Sequence, residues 1–223
     1  VSAQSAPFTI TGPTAPLDID VTAHPTSLLL HFDEAAPPYK DSSGNNSAVT
    51  EFQNVSLPSF TSTDKKFGSG AISFNGKKES GQQQALAVHS ANGNLSLGDD
   101  DFTIDFWVYP TKLGGLTKLF SIYSDTEFLN MYVFSDGRPV ISYPKPSGSD
   151  RVVVESGEKL DLDSWNHIVF QRKRLNAKDN VSIAVNGQIV KVSPVDPVTL
   201  GPLNILAFGW PYSNADPEVS AFE

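Results

Sequence analysis

The sequence predicts an all-β fold, a two-sheet antiparallel sandwich, on three observations. Apolar residues alternate over short runs with almost no sustained helical period, as in DFTIDFWVYP (101 to 110) and VSIAVNGQIV (181 to 190). Asp136-Gly137 and Asn186-Gly187 each separate two such runs, and these dipeptides accept the positive φ that a tight hairpin turn needs. The chain has 223 residues, within the range one large all-β domain fills alone. A half-apolar sheet has to cover one face, so strands without helices pack as two sheets.

Taken in order, residues 1 to 26 carry Pro7, Pro13, Pro16 and Pro25 among small polar residues. Such a segment favours extended, polyproline-like geometry and reads as a linker or docking arm, with Phe8, Ile10, Leu17 and Ile19 available to lie along another surface. The main domain is expected over residues 27 to 223. It opens with the apolar run SLLLHF (27 to 32), read as the first strand, then the polar loop DSSGNN and alternations around Val49 to Phe52 and Val55 to Phe60. FGSGAISFNG (67 to 76) gives a glycine turn and a strand. In DFTIDFWVYP, alternation puts Phe102, Ile104, Phe106 and Val108 on a core face and Asp101, Thr103, Asp105, Trp107 and Tyr109 on the other. Two hairpins, MYVFSDGRPVIS (131 to 142) and VSIAVNGQIV, flank a long strand, WNHIVFQRK (165 to 173). The basic cluster Arg172, Lys173 and Arg174 at its end reads as solvated.

The totals exclude several classes. A formal net charge of -9 repels phosphate backbones and anionic lipid, so neither nucleic acid nor membrane is an expected partner. Zero cysteines leave no disulfide, thiolate metal site or cysteine nucleophile. No run approaches a membrane span, and no basic region followed by an apolar one marks a signal peptide. Gly-x-Ser-x-Gly, His-Glu-x-x-His and phosphate-cradling glycine loops are absent. His24, His31, His89 and His167 are dispersed, and the last reads as a hydrogen-bonded strand histidine. Asn45, Asn54, Asn94 and Asn180 head Asn-x-Ser sequons, about twice the number chance provides, a weak signal for glycosylation.

FGSGAISFNG, LSLGDDDFTIDFWVYP, DSWNHIVFQRK and VSIAVNGQIV occur in the order and spacing of laminin-G-like, concanavalin A-like jelly-roll domains, and residues 27 to 210 resemble that family. The opening SLLLHFDEAAPPYKDSSGNNSAVTEF resembles the versions found in bacteriophage tail, fibre and decoration proteins. The resemblance implies two stacked curved sheets, with ligands at one face or one rim, and no particular activity. The chain stops at PEVSAFE, without the family's usual ending. The final strand is therefore expected from a longer chain or from another subunit, since an open apolar SLLLHF edge would invite aggregation.

Three site candidates follow. Related β-glucanases carry Glu-x-Asp-x-Glu on the catalytic strand, which the resemblance would align with Asp101, Thr103 and Asp105. Thr103 replaces the bridging acid, and four residues of strand span about 13 Å, too far for two short aspartates to work as a pair. No catalytic residue is expected. The carboxylates of LGDDDF (97 to 102), Asp99 and Asp101 among them, offer oxygen ligands for calcium, or form a solvated turn. Carbohydrate binding asks for aromatic platforms beside polar groups, which Trp107 and Tyr109 with Asp105, and Trp210 and Tyr212 with Asn214, both supply. The expected role is a non-catalytic structural and adhesive module of a phage virion, packing against other virion subunits and touching host glycans. Alternatives are a carbohydrate-binding module of a secreted or surface bacterial protein, and a subunit of an extracellular filament.

Overall fold

A computed structural model describes residues 26–52, 55–75, 84–90, 93, 95–113, 116–123, 128–144, 151–201, 205–209 and 219–220. Among these residues the structure is all strand and turn: β1 (Ala48–Glu51), β2 (Ser59–Thr61), β3 (Ala71–Ser73), β4 (Ala85–His89), β5 (Phe102–Val108), β6 (Leu116–Tyr123), β7 (Phe128–Val133), β8 (Pro139–Pro144), β9 (Arg151–Glu155), β10 (Asn166–Leu175), β11 (Lys178–Val185), β12 (Gln188–Val195), β13 (Ile205–Gly209) and β14 (Val219–Ser220). One sheet runs β1-β4-β13-β6-β7-β8-β9, with β14 also on β6, and the other runs β12-β11-β10-β5. A small ribbon joins β2 to β3. All pairings between these strands are antiparallel except β14 on β6, where Val219 pairs with Leu116.

The core lies between the two sheets. Ile168, Phe170 and Ile183 from the four-stranded sheet meet Leu86, Val88, Phe120, Met131, Ile141 and Tyr143 from the larger one. Phe102, Ile104, Phe106 and Val108 pack against this cluster, as their alternation requires. Phe106 meets Phe120 edge to face across the sandwich at 5.8 Å, a geometry in which the edge of one ring faces the π-cloud of the other. A second cluster, Phe52 with Ala85, Ala87 and Ala207, covers part of the larger sheet's outer face.

The hairpins form where the dipeptides place them, with different turns. Asn186 and Gly187 both have positive φ, 50° and 81°, between the paired Val185 and Gln188, so the connection is a tight two-residue turn. At Asp136-Gly137 only the glycine has positive φ, 93°. There the Gly137 N–H donates to Phe134 O and the Phe134 N–H to Arg138 O, the three-residue turn closed by a glycine bulge.

SLLLHF departs from expectation. Leu28, Leu30 and Phe32 face the core, but among the described residues the segment's β-pairing is the single bridge Leu30 to Asp41. Phe32 turns to φ 54°, which ends the extended run. The Asp41 carboxylate takes the N–H groups of Leu29, Ser43 and Ser47 at 3.2, 2.9 and 2.9 Å, holding a loop where a strand was expected.

Candidate functional site

The aromatic residues of β5 and β10 converge at one end of the four-stranded sheet. Register sets Trp107 opposite His167, and the rings stack at 4.8 Å with 16° between planes. Continuing past the strand end, Tyr109 meets Trp165 edge to face at 5.5 Å. The sequence marks this twice, as Trp-x-Tyr on one strand and Trp-x-His on its antiparallel partner, because residues two apart share a face. The next pairs inward are Asp105 with Val169, then Thr103 with Gln171, whose Nε2 donates to Thr103 Oγ1 at 3.3 Å. Aromatic surface thus passes into polar surface along β5.

A loop between β2 and β3 completes this end. It delivers Phe67, 65% exposed, whose ring lies edge-on to Trp107 at 5.7 Å, and Lys66, whose Nζ is 4.2 Å from the indole centroid. The loop is fixed from behind. Ser69 donates its N–H to Asp33 Oδ1 at 2.6 Å, and its hydroxyl lies 2.8 Å from Asp33 O and 3.0 Å from Asp33 Oδ1; the bonds to Oδ1 hold the Asp33 carboxyl below its usual range. Gly68 has φ 60°, and a β-carbon there would lie 2.1 Å from the Asp33 carboxylate. One on Gly70 would lie 2.1 Å from the Phe60 ring. Only glycine allows both approaches.

Trp107 is 36% exposed, so it is neither sealed beneath the loop nor free, having an imidazole and an ammonium against its ring. Burial pushes the His167 pKa down, against a smaller upward pull from the Asp105 charge, so its imidazole is neutral at neutral pH. Of the sequence candidates, Trp107, Tyr109 and Asp105 do meet at one end of the sheet. Phe67, Lys66, His167 and Trp165 join them. Trp210, Tyr212 and Asn214 lie outside the described residues, as do Asn54 and Asn94.

The acidic rim has a different use. Asp99 Oδ1 accepts from Thr199 Oγ1 and pairs with Arg174 Nη1, both at 2.7 Å, and these bonds lower its pKa. Asp101 Oδ1 takes the Arg174 N–H at 2.7 Å, while Asp100 contributes its backbone oxygen to Arg172. Of the two carboxylates proposed as calcium ligands, Asp99 is thus turned to the Arg174 guanidinium and Asp101 to the Arg174 backbone N–H. Among the described residues no three carboxylate or imidazole groups converge as a metal site. In the row Asp101, Thr103 and Asp105, the first is bonded to backbone and the second to an amide.

Arg172 corrects the reading of its cluster as solvated. It is fully buried, and its guanidinium donates to the oxygens of Leu97, Gly98, Asp100 and Val198 and to the Tyr143 hydroxyl, with Phe102 against one side. Tyr143 donates in turn to Asp179 Oδ2 at 2.8 Å, and Asp179, also fully buried, pairs with Arg174 at 2.7 Å. Burial alone would raise the Asp179 pKa, but Arg174, the Val198 N–H and Tyr143 together hold it below its usual value. This network ties the rim loops to the sheet.

Solved structures share this fold at low identity. The binding domain of botulinum neurotoxin DC, in complex with rat synaptotagmin II, matches with a TM-score of 0.58 at 14% identity, covering 88% of this chain and 44% of that one. A botulinum neurotoxin type C structure, from work on its entry through two ganglioside molecules, gives 0.59 at 15%, covering 85% and 45%. Domain 4 of an extracellular arabinanase from Geobacillus stearothermophilus, in complex with arabinotriose, gives 0.51 at 18%, covering 82% of each chain. The chain spans less than half the length of the two neurotoxin chains. No curated protein sequence matches it. The laminin G family described as the concanavalin A-like lectin/glucanases superfamily matches residues 69–220, more than half of the sequence. With its two stacked sheets and antiparallel hairpins, the chain belongs to that superfamily.

Proposed function

We propose that this domain is a non-catalytic adhesive module that binds glycans at the aromatic end of its four-stranded sheet. The observation that carries the reading is the exposed Phe67 ring set edge-on to Trp107, with Asp105 beyond it on the same sheet face. Sugar C–H faces stack on such rings, while hydroxyls seek a carboxylate or amide. The arabinanase domain of the same fold carries arabinotriose, which supports a sugar-binding use of the sandwich. The non-catalytic reading rests on the commitment of Asp101 and Thr103 to bonds within the protein.

The setting we propose is a phage virion, where the domain packs against other subunits and touches host glycans. Its support is the resemblance of SLLLHFDEAAPPYKDSSGNNSAVTEF to virion proteins and the proline-rich arm before it. A carbohydrate-binding module of a secreted bacterial protein is the second reading, favoured by the equal coverage of both chains in the arabinanase match. Mass spectrometry of purified virions and of the culture supernatant separates them: the chain copurifies with particles in the first case and not in the second.

Site and ligand are tested on a glycan array with the isolated domain and its Phe67→Ala and Trp107→Ala variants. Binding is expected for the parent and is weakened about tenfold in each variant, with unchanged circular dichroism. A parent that binds no glycan ends the reading.

A further inference from the structure

The loop that completes the aromatic end carries charge as well as a ring. In a chain of net charge -9, Lys65 and Lys66 stand side by side immediately before Phe67, and both are exposed. Lys66 Nζ is 4.2 Å from the Trp107 centroid and 5.8 Å from that of Phe67, so the ring quadrupoles hold the ammonium in place. Among the described residues no carboxylate pairs with either lysine. The nearby acids are accounted for: Asp33 is bound by Ser69, Asp64 accepts from the Thr63 hydroxyl at 3.3 Å, and Asp105 lies one cross-strand pair inward, where its charge acts on His167. The platform is therefore polarised, with the Lys66 ammonium held against the rings on the loop side and a carboxylate on the sheet side.

On the basis of the glycan-binding reading, we infer that the ligand is an acidic glycan: a sugar whose carboxylate or sulfate meets Lys66 while its apolar face lies on Phe67. The hydroxyls on its other side point to Asp105, which would repel an acid group placed there and so fixes the orientation. Lys66 keeps three N–H donors, and attraction to the rings consumes none of them. An ammonium already ordered by the aromatic faces loses little rotamer freedom when an anion arrives, which favours charge-assisted bonding to the ligand.

The test uses matched probes: lactose with and without a terminal sialic acid, trigalacturonate and its carboxyl-reduced neutral form, and a sulfated disaccharide with its desulfated form. Each is titrated against the parent domain, Lys66→Met, Lys66→Arg and Phe67→Ala. In at least one pair the acidic member is expected to bind ten times more tightly or better, with affinity falling as salt rises. Lys66→Met, which keeps the stem and removes the charge, abolishes that preference, and Lys66→Arg retains it. Neutral glycans that bind as well as their acidic partners, or a preference that survives Lys66→Met, overturn the inference and leave the glycan-binding reading intact. Failure of every probe and of the wider array overturns both.

Discussion

At the scale of single residues, the most consequential side chain is one that composition disguises. Arg172 sits in a run of three basic residues, yet it shares a face with Ile168 and Phe170, and alternation alone turns it toward the core. What alternation does not reveal is its partners, which come from loops distant in sequence. Truncating a buried, fully bonded charge strands its acceptors in a medium that cannot solvate them. Arg172→Ala is expected to cost about 3–5 kcal/mol in chemical denaturation, whereas Lys173→Ala next to it changes stability by about 0.5 kcal/mol or less. Asp41 makes a second prediction. Burial pushes its carboxyl up, but the Ser43 hydroxyl and the N–H groups of Ser47, Ser43 and Leu29 win, lowering it to about 2. Asn at this position keeps the shape and loses the charge-assisted bonds. Asp41→Asn is expected to lower stability by about 2 kcal/mol at pH 7, and by much less near pH 2, where the parent's carboxylate is itself protonating.

At the scale of elements, the sequence makes strands and hairpins legible and leaves loops obscure. Alternation in DFTIDFWVYP and the Asn-Gly and Asp-Gly dipeptides are local signals, and the structure follows them. The hairpin joining β10 to β11 carries no such dipeptide. It turns at Asn176 and Ala177, both with positive φ, 53° and 58°, and alanine at that position is strained by its β-carbon. Ala177→Gly should relieve about 1–2 kcal/mol of strain, offset by about 0.5–1 kcal/mol of glycine entropy, so the urea midpoint rises slightly. The candidate site was half legible for the same reason. Trp107, Tyr109 and Asp105 lie on one strand and can be read together, but Phe67 and Lys66 arrive on a loop whose placement depends on Asp33, far away in the chain. Gly68→Ala tests that placement. The new methyl meets the Asp33 carboxylate, the loop shifts, and glycan affinity falls about as far as in Phe67→Ala. The global denaturation midpoint stays nearly unchanged, because an exposed loop opens at little cost to the core.

At the scale of the whole molecule, the absence of cysteine leaves packing and polar networks to hold the sandwich, and the networks give it a pH signature. Asp33, Asp41, Asp99, Asp136 and Asp179 all have lowered pKa values, each from hydrogen bonds or cations supplied by the fold. The unfolded chain returns these groups to their ordinary value of 3.8, so below that pH it binds more protons than the native state. Their stabilisation is complete above pH 3.8 and is lost as pH falls through the lower folded values. His167 acts in a separate window. Burial depresses its pKa below the ordinary value of 6.5, so as pH falls under 6.5 the unfolded chain takes up a proton that the native ring resists, and stability declines. The expected profile is a plateau above pH 6.5, a shallow step below it from His167, and a steep loss below pH 4 shared by the carboxylates. Urea midpoints measured from pH 8 to pH 2.5 trace it. His167→Gln should remove the shallow step and leave the steep one, whereas Asp179→Asn should lower the plateau and reduce the steep loss. A single transition near pH 4 in the parent, with no change on replacing His167, would show that the imidazole stacked on Trp107 titrates freely in the folded protein.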